Sequence, residues 1–280
     1  MSELADGAGI NRATCYSTVI ALTELGLLHR DERRKSYGLG WRLVSLGDAA
    51  TAQFDGYRPA RVEMFRLSEE LGVSGLVCVA LEDYEYMVVL DHVGSDRLPS
   101  RPRLTIGEAD PIRPPLGMIF MAWEPDHVIE AWLARTAPGA STQELLAYRD
   151  ALNMVRLRGY SLGASSEVQL EAAQMLRKLR ESEHDGDRSA IAEALGTLLG
   201  HTPANAALDQ GDLPIAVNYL IAPVFGPDGH VALTITLWGS LGQLTVDNLD
   251  EYARPLLASA RRVTTLIGGR MPRAESLSLR

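Results

Sequence analysis

The chain has 280 residues, which at roughly 100–200 residues per domain predicts one large domain or two unequal ones. Apolar residues make up 46% of it and charged residues 22%, values that exclude collagen-like, low-complexity and wholly disordered proteins. The formal net charge of −9 argues against a general nucleic-acid coat protein and a membrane-surface binder, but it remains compatible with a local DNA-binding patch.

Cysteine content and hydropathy predict the compartment. Cys15 and Cys78 are the two cysteines of the chain, too few for a disulfide scaffold, which fits a reducing cytoplasm. No apolar run approaches the roughly 18–20 residues that span a bilayer. Residues 1–9 have no apolar signal-peptide core. We therefore expect a soluble cytoplasmic protein with no membrane partner.

Charge is distributed unevenly along the chain. Residues 11–45 contain six basic and three acidic side chains, a net charge of +3, so the remaining residues carry −12. A small basic segment joined to a large acidic remainder is the arrangement expected of a DNA-reading module fused to another domain.

The first forty residues have the pattern of two helices and a hairpin. Residues 2–8 are compatible with a short helix, and Asn11 is a suitable N-cap for a second one. The buried face of that second helix is predicted from apolar residues spaced 4, 3 and 3 apart: Cys15, Val19, Leu22 and Leu25.

Gly26 predicts the end of the second helix, and residues 27–30 and 36–39 predict two strands joined by the charged turn 31–35. Two helices followed by a basic hairpin are the plan of a winged helix-turn-helix, whose second helix enters the major groove. Its wing lies on phosphates. A capped helix and a charged hairpin also occur in proteins that bind no DNA, so this pattern alone leaves both interpretations open.

The remaining elements alternate between helices and strands. The patterns predict a helix over 60–71, strands over 73–80 and 86–93, a loop over 97–113, two short helices within 116–132, a helix over 143–158, two strands flanking the turn 226–229, and a final helix over 246–267.

The strand after that turn has two different faces. One face is aliphatic: Val231, Leu233, Ile235 and Leu237. The other is mixed: Ala232, Thr234, Thr236 and Trp238. Mostly apolar surface with a few polar anchors suits a small-ligand cavity. Threonines are also common at half-buried strand positions, so the mixed face has a purely structural interpretation as well.

No motif of catalysis or metal binding is recognisable. The six histidines are scattered, and neither cysteine has a close partner in sequence. A G-x-S-x-G elbow, a P-loop and a dinucleotide fingerprint are missing from the sequence. We therefore predict no catalytic residue, no metal, no cofactor and no enzyme activity.

A set of short motifs occurs in a fixed order along the chain: INRATCY at 10–16, LTELGLL at 22–28, YGLG at 37–40, Leu43, Leu46-Gly47, Leu116-Gly117, Gly159-Tyr160, Glu167, APVF at 222–225, Asp228-Gly229 and Val231-Ala232. In this order they resemble the IclR-type bacterial transcriptional regulators, and the resemblance covers most of the chain. It implies an α+β protein, with an N-terminal winged helix-turn-helix and a C-terminal α/β effector-binding domain of GAF/PAS-like type.

The resemblance also implies domain boundaries. We expect the winged helix-turn-helix over 1–40, a linker helix over 41–57, the effector-binding domain over 58–270 with a helical insertion at about 168–213, and a tail over 271–280. The insertion could cover the ligand pocket, enlarge a subunit interface or pack on its own subunit. Family members carry an additional helix before the one that starts near Ser2. That helix either precedes Met1 or is missing from this DNA-binding domain, so we expect residues 1–280 alone to bind DNA weakly.

The implied partners are operator DNA, a small organic effector such as an organic acid or an aromatic compound, and further copies of the chain in a dimer or tetramer. The residues that would face DNA are Arg12, Ala13, Thr14, Tyr16 and Ser17 on the second helix and Arg33, Arg34 and Lys35 on the wing. Ser17 departs from the family, which often has a basic side chain there.

The residues that would line the effector site are Leu116, Gly117, Ser165, Tyr219, Thr236 and Trp238. Tyr219 and Trp238 are bulkier than the small residues usual at these positions, which indicates an aromatic ligand or a partly filled cavity. Effector binding is expected to change the spacing of paired recognition helices through the segment 41–52.

Two alternative functions remain. The protein could be a small-molecule-binding or protein-interaction domain with a degenerate DNA-binding module. It could also be a small-molecule enzyme built on the same sheet, although no residue in the sequence is a candidate for catalysis.

Overall fold

The computed structural model describes residues 2–73, 75–94, 105–114, 117–165, 215–238, 243–244 and 246–272. The chain forms two compact units, Met1–Gln53 and Phe54–Arg280. The predicted insertion at 168–213 lies outside the described residues, as does most of the predicted tail.

The first unit contains α1 (Ser2–Gly7), α2 (Arg12–Glu24), β1 (Leu28–Asp31), β2 (Ser36–Leu39) and α3 (Arg42–Thr51). β1 and β2 pair antiparallel, with Leu28 opposite Leu39 and Asp31 opposite Ser36. The order of two helices and a hairpin is the predicted winged helix-turn-helix. The helix expected as a linker over 41–57 is α3, and it belongs to this unit.

Local interactions explain where α2 begins and ends. The side chain of Asn11 accepts a 2.8 Å hydrogen bond from the amide of Thr14, which caps the helix N-terminus. Gly26 follows the helix with a φ of +70°, a left-handed conformation that suits glycine. A Cβ on Gly40 would lie 2.0 Å from the carbonyl oxygen of Gly26, so the end of β2 packs tightly against the end of α2.

The core of the first unit is small. It consists of Ala5, Cys15 and Val19, with Leu28 and Tyr37 packed against it. The prediction that Leu25 is buried is wrong: this side chain is 53% exposed. Leu25 is the C-cap of α2, so it lies beyond the last turn whose face is directed at α1.

The second unit begins with α4 (Tyr57–Leu71), β3 (Gly75–Glu82), β4 (Tyr86–Gly94) and β5 (Ala109–Pro111), and continues with α5 (Met118–Met121), α6 (Asp126–Thr136) and α7 (Thr142–Arg158). It is completed by β6 (Ser161–Ser165), β7 (Ile215–Phe225), β8 (Val231–Trp238), β9 (Gln243–Leu244) and α8 (Val246–Leu266).

The strands of this unit form an antiparallel seven-stranded sheet in the order β5-β4-β3-β8-β7-β6, with β9 beside β7. The loop predicted over 97–113 is wrong at Ala109–Pro111, which pairs with β4 at the edge of the sheet. A three-residue strand that contains a proline has too short an alternation to be recognised, and the sheet edge is where proline is tolerated.

Helices cover both faces of the sheet. On one face, α4 and α8 contribute Met64, Leu67, Leu256 and Val263 to a core shared with the strands. On the other face, α5, α6 and α7 form a second core that includes Phe120, Trp132 and Leu152.

The alternation predicted for β8 holds for three of the four aliphatic residues. Leu233, Ile235 and Leu237 lie in the core beneath α4 and α8. The prediction for Val231 is wrong, because it packs in the opposite core. The register between β7 and β8 shifts between Val224 and Phe225, which changes the face on which Val231 lies.

No helix in the part of the chain that the structure describes is long and apolar enough to cross a membrane.

Candidate functional site

The first candidate surface is the exposed side of α2. The five residues of this helix that were predicted to face DNA are all exposed: Arg12, Ala13, Thr14, Tyr16 and Ser17. They follow the Asn11 cap, so they occupy the first turns of the helix, where the free backbone amides give a partial positive charge. The hydroxyl of Ser17 donates a 3.0 Å hydrogen bond to the carbonyl of Thr14.

The second candidate surface is the turn between β1 and β2. The carboxylate of Asp31 accepts hydrogen bonds from the amides of Arg33 and Arg34 at 2.9 and 3.0 Å, which shapes the turn. Lys35 follows with a φ of +51°. The three predicted wing cations are all exposed, and they lie beside one another on this short turn.

Carboxylates neutralise part of this wing. Arg34 lies 3.9 Å from Asp31, and Arg30 lies 3.6 Å from Glu32. Arg33 and Lys35 form no ion pair with any of the described residues. These two exposed cations are therefore not neutralised by a carboxylate among the described residues.

The second unit contains a cavity of about 50 Å³ between the sheet and α5. Its aliphatic and thioether lining comes from Val77, Val79, Met87, Val89, Ile119 and Ile221. The remaining lining residues are Phe120, Trp238, Thr234, Thr236 and Asp110. A cavity of this size is smaller than the roughly 150 Å³ that holds a benzene molecule.

The polar side chains of the cavity differ in their hydrogen bonding and in their exposure to solvent. The hydroxyl of Thr234 donates a 3.3 Å hydrogen bond to the carbonyl of Val79 on the adjacent strand. Thr236, two residues further along β8, is 3% exposed. Asp110 lies on the exposed edge strand β5, opposite Met87 of β4.

Two of the predicted effector residues line the cavity, and a third lies beside it. Thr236 and Trp238 line the cavity. Tyr219 is directly opposite Trp238 in the register of β7 and β8, and the two rings stack with centroids 5.2 Å apart and an interplanar angle of 27°. The stacked rings fill space beside the cavity.

Of the other three predicted effector residues, Gly117 and Ser165 have a described backbone. Gly117 is the N-cap of α5, and a Cβ there would lie 2.4 Å from Cγ1 of Ile112, so glycine permits a close approach of these segments. Ser165 pairs with Ala216 in the backbone register. Leu116 lies outside the described residues.

Most of the cavity lining was not predicted from the sequence. The alternation within β3 and β4 is a signal that could have identified Val77, Val79 and Val89, since each shares a face with residues of β8. Asp110 had no such signal, because its strand was predicted to be a loop.

His92 lies on the same face of the sheet as the cavity, opposite Val77, but it does not line the cavity. Its Nδ1 atom is buried and has no hydrogen-bond partner among the described residues. Within the described ranges, no group of three or more histidine, cysteine, aspartate or glutamate side chains is placed to hold a metal ion.

Buried charges lie away from the cavity, on the opposite face of the sheet. Glu63 of α4 accepts hydrogen bonds of 3.0 and 2.7 Å from Arg262 of α8 and one of 3.2 Å from Arg66. Asp91 of β4 accepts a 3.2 Å hydrogen bond from the hydroxyl of Tyr57 and lies 3.3 Å from Arg61. These groups attach α4 to α8 and to the sheet.

Solved structures share this fold. An IclR transcriptional regulator from Alicyclobacillus acidocaldarius has a TM-score of 0.60 and 18% identity, over 96% of this chain and 90% of that one. The Thermotoga maritima IclR protein has a TM-score of 0.64 and 16% identity, over 95% and 90%. Pseudomonas aeruginosa HmgR has a TM-score of 0.62 and 20% identity, over 95% and 90%.

No protein-family model matches the sequence, and no curated protein matches it significantly. The structural likeness therefore shows that the chain has the α+β fold of these regulators over nearly its whole length.

Proposed function

We propose that the protein is a DNA-binding transcriptional regulator of the IclR type whose second unit binds a small organic effector. The observation that carries the proposal is the exposed face of α2, from Arg12 to Ser17, which lies in the same compact unit as the basic turn between β1 and β2. The shared fold supports the same function.

In this function α2 enters the major groove and the β1–β2 turn contacts the backbone. Arg12 and Thr14 lie in the first turn of α2, so they are the residues that reach base edges. Arg33 and Lys35 contact phosphates, because neither is paired with a carboxylate among the described residues. Phosphate contacts position the protein on the duplex, and contacts with base edges select the DNA sequence.

The cavity of the second unit is the effector site of this proposal. Two copies of the chain would bind an operator, and the effector would have unequal affinity for two arrangements of the dimer. The helix α3 (Arg42–Thr51) follows the wing directly in the chain, which makes it the segment through which the units are coupled.

The test of DNA binding uses the full chain and a labelled duplex of the intergenic DNA beside the gene, with affinity measured by fluorescence anisotropy at several salt concentrations. The substitution Arg12→Ala is expected to weaken DNA binding by about 1–3 kcal/mol. It is also expected to reduce the preference of the protein for one duplex sequence over others. The matched control is Arg254→Ala, since Arg254 is an exposed arginine of α8 in the other unit that pairs with Asp250.

Equal affinities of wild type and Arg12→Ala would contradict the assignment of α2. Retained effector binding by a wild-type protein that binds none of the duplexes would instead favour the alternative function, a ligand-binding domain with a degenerate DNA-binding module.

The effector role is tested by a thermal-shift screen of small metabolites, because a ligand that binds the folded state alone raises the unfolding temperature. Trp238→Ala is expected to change the response to any hit. An unchanged response would show that the hit binds elsewhere.

A further inference from the structure

We propose that the cavity selects a positively charged ligand, namely a small aliphatic primary amine. Its ammonium group lies at Asp110, and its hydrocarbon chain lies among Val79, Met87 and Phe120. This inference rests on the proposed effector role of the cavity and specifies the chemistry of the effector.

The charge of the lining carries the argument. Among the described residues that line the cavity, Asp110 is the single ionisable side chain. It has no ion pair with the described part of the chain. An ammonium group placed beside it gains a charge-assisted hydrogen bond while both groups keep contact with water.

The same lining disfavours an anion. A carboxylate that entered the cavity would lose hydration among valine, isoleucine and phenylalanine side chains and would meet no cation among the described lining residues. The carboxylate of Asp110 at the edge would repel it as well. The described part of the lining therefore favours an ammonium group over a carboxylate.

The position of Asp110 determines the orientation of the ligand. It lies on the edge strand β5, and its register partner is Met87 on the next strand. Asp110 is exposed, whereas Phe120 is 2% exposed and Ile119 is 1% exposed. The charged end of a ligand thus remains at the rim, and its apolar end points toward α5.

The size of the cavity selects a narrow chain. About 50 Å³ is too little for an aromatic ring unless side chains move, and methionine at position 87 has the flexibility to lengthen the space. A straight aliphatic chain has a smaller cross-section than a ring, and only the part of the ligand beyond its charged end has to enter the cavity.

The test compares three probes of similar shape, butylamine, 1-butanol and butyrate, by calorimetric titration of the full chain at pH 7. Butylamine is expected to bind about tenfold more tightly than butyrate. The variant Asp110→Asn is expected to weaken butylamine binding by up to about fivefold and to leave the butanol affinity unchanged. The matched control is Asp83→Asn, which removes an exposed negative charge from the β3–β4 turn.

Butyrate binding as tight as that of butylamine would overturn the inference, as would an absence of butylamine binding or an unchanged affinity in Asp110→Asn. DNA binding is measured on the same preparations. A protein that binds DNA but fails the amine test contradicts this inference alone, whereas a protein that binds no DNA contradicts the proposed function.

Discussion

The ring of Tyr219 covers Gly163 on the adjacent strand. A Cβ on Gly163 would lie 2.1 Å from both Cε1 and Cζ of Tyr219, and the two residues are directly opposite in the register of β6 and β7. Tyr219 in turn stacks on Trp238, which lines the cavity. The glycine therefore supports one wall of the candidate effector site through two rings.

The variant Gly163→Ala is expected to lower the free energy of unfolding by about 1–3 kcal/mol, because the added methyl group must displace the Tyr219 ring. Urea unfolding followed by circular dichroism measures the loss. The control is Gly139→Ala, since a Cβ on Gly139 would meet no atom within 4 Å. Equal stabilities of the two variants would show that the ring moves aside without cost.

The elements of the first unit could be predicted because local signals determine them. Asn11 and Gly26 delimit α2 through their own backbone and side-chain chemistry, and the charged residues between the strands indicate the turn. Leu25 was predicted incorrectly, because its exposure depends on where α2 ends relative to α1. Periodicity alone contains no information on that distance.

The cavity could be predicted only in part. The two faces of β8 place Thr236 and Trp238 correctly on the side of the cavity, since alternation is a local property. Residues from β4, β5 and α5 meet them through a strand order that no local pattern encodes. Asp110, the charged residue of the lining, was missed because its three-residue strand was predicted to be a loop.

The variant His230→Ala tests the contact between the β7–β8 turn and the buried side chain of Glu124. Glu124 is 3% exposed, and its Oε1 lies 2.7 Å from Nδ1 of His230. Removal of the imidazole leaves this carboxylate without that partner, and we expect a loss of about 1–3 kcal/mol in the free energy of unfolding. The exposed His127 supplies the control variant His127→Ala, which is expected to change stability by less than about 0.5 kcal/mol. Similar losses in both variants would contradict a specific role of the pair.

Cys78 is expected to be inert toward thiol reagents in the folded protein. The side chain is completely buried in β3, and burial together with the negative charge of Asp91 raises the pKa of its thiol. Maleimide labelling followed by peptide mass spectrometry should modify Cys78 in urea but not in native buffer. The variant Leu157→Cys places a thiol at an 80% exposed position of α7 as a positive control. Rapid native labelling of Cys78 would show that β3 opens locally.

Stability is expected to fall at alkaline pH. Burial is the largest cause that raises the pKa of Tyr160, and the negative charge of Asp250 adds to it while Arg158 opposes it. A raised pKa in the folded state means that folding favours the neutral phenol. The stability that the buried neutral phenol provides is therefore fully present below the tyrosine pKa of the unfolded chain, which is about 10. It is lost as the pH rises through the higher pKa of Tyr160 in the folded protein.

Urea unfolding at about pH 8, 9.5 and 10.5, values that bracket the ordinary tyrosine pKa of about 10, measures this decline. The variant Tyr160→Phe has no phenol at this position that could ionise. Its free energy of unfolding is therefore expected to fall less steeply over the same pH interval. Parallel declines in the variant and the wild type would assign the effect to other groups, such as Tyr57 and Tyr84, whose pKa values are also raised by burial.

The wing cations are expected to contribute unequally to DNA binding. Arg33 has no carboxylate partner among the described residues, whereas Arg34 lies 3.9 Å from Asp31. Each phosphate contact that is lost should reduce the slope of log affinity against log salt by about 0.9. Arg33→Ala is therefore expected to reduce the slope by about this amount, and Arg34→Ala by less.

The variant Asp31→Asn tests the ion pair from its other side. The amide oxygen can still accept the hydrogen bonds of the turn, but the negative charge beside Arg34 is gone. Arg34 is then free to contact a phosphate, and the salt slope should become steeper. A slope that is unchanged in Arg33→Ala would remove the β1–β2 turn from the DNA-binding surface.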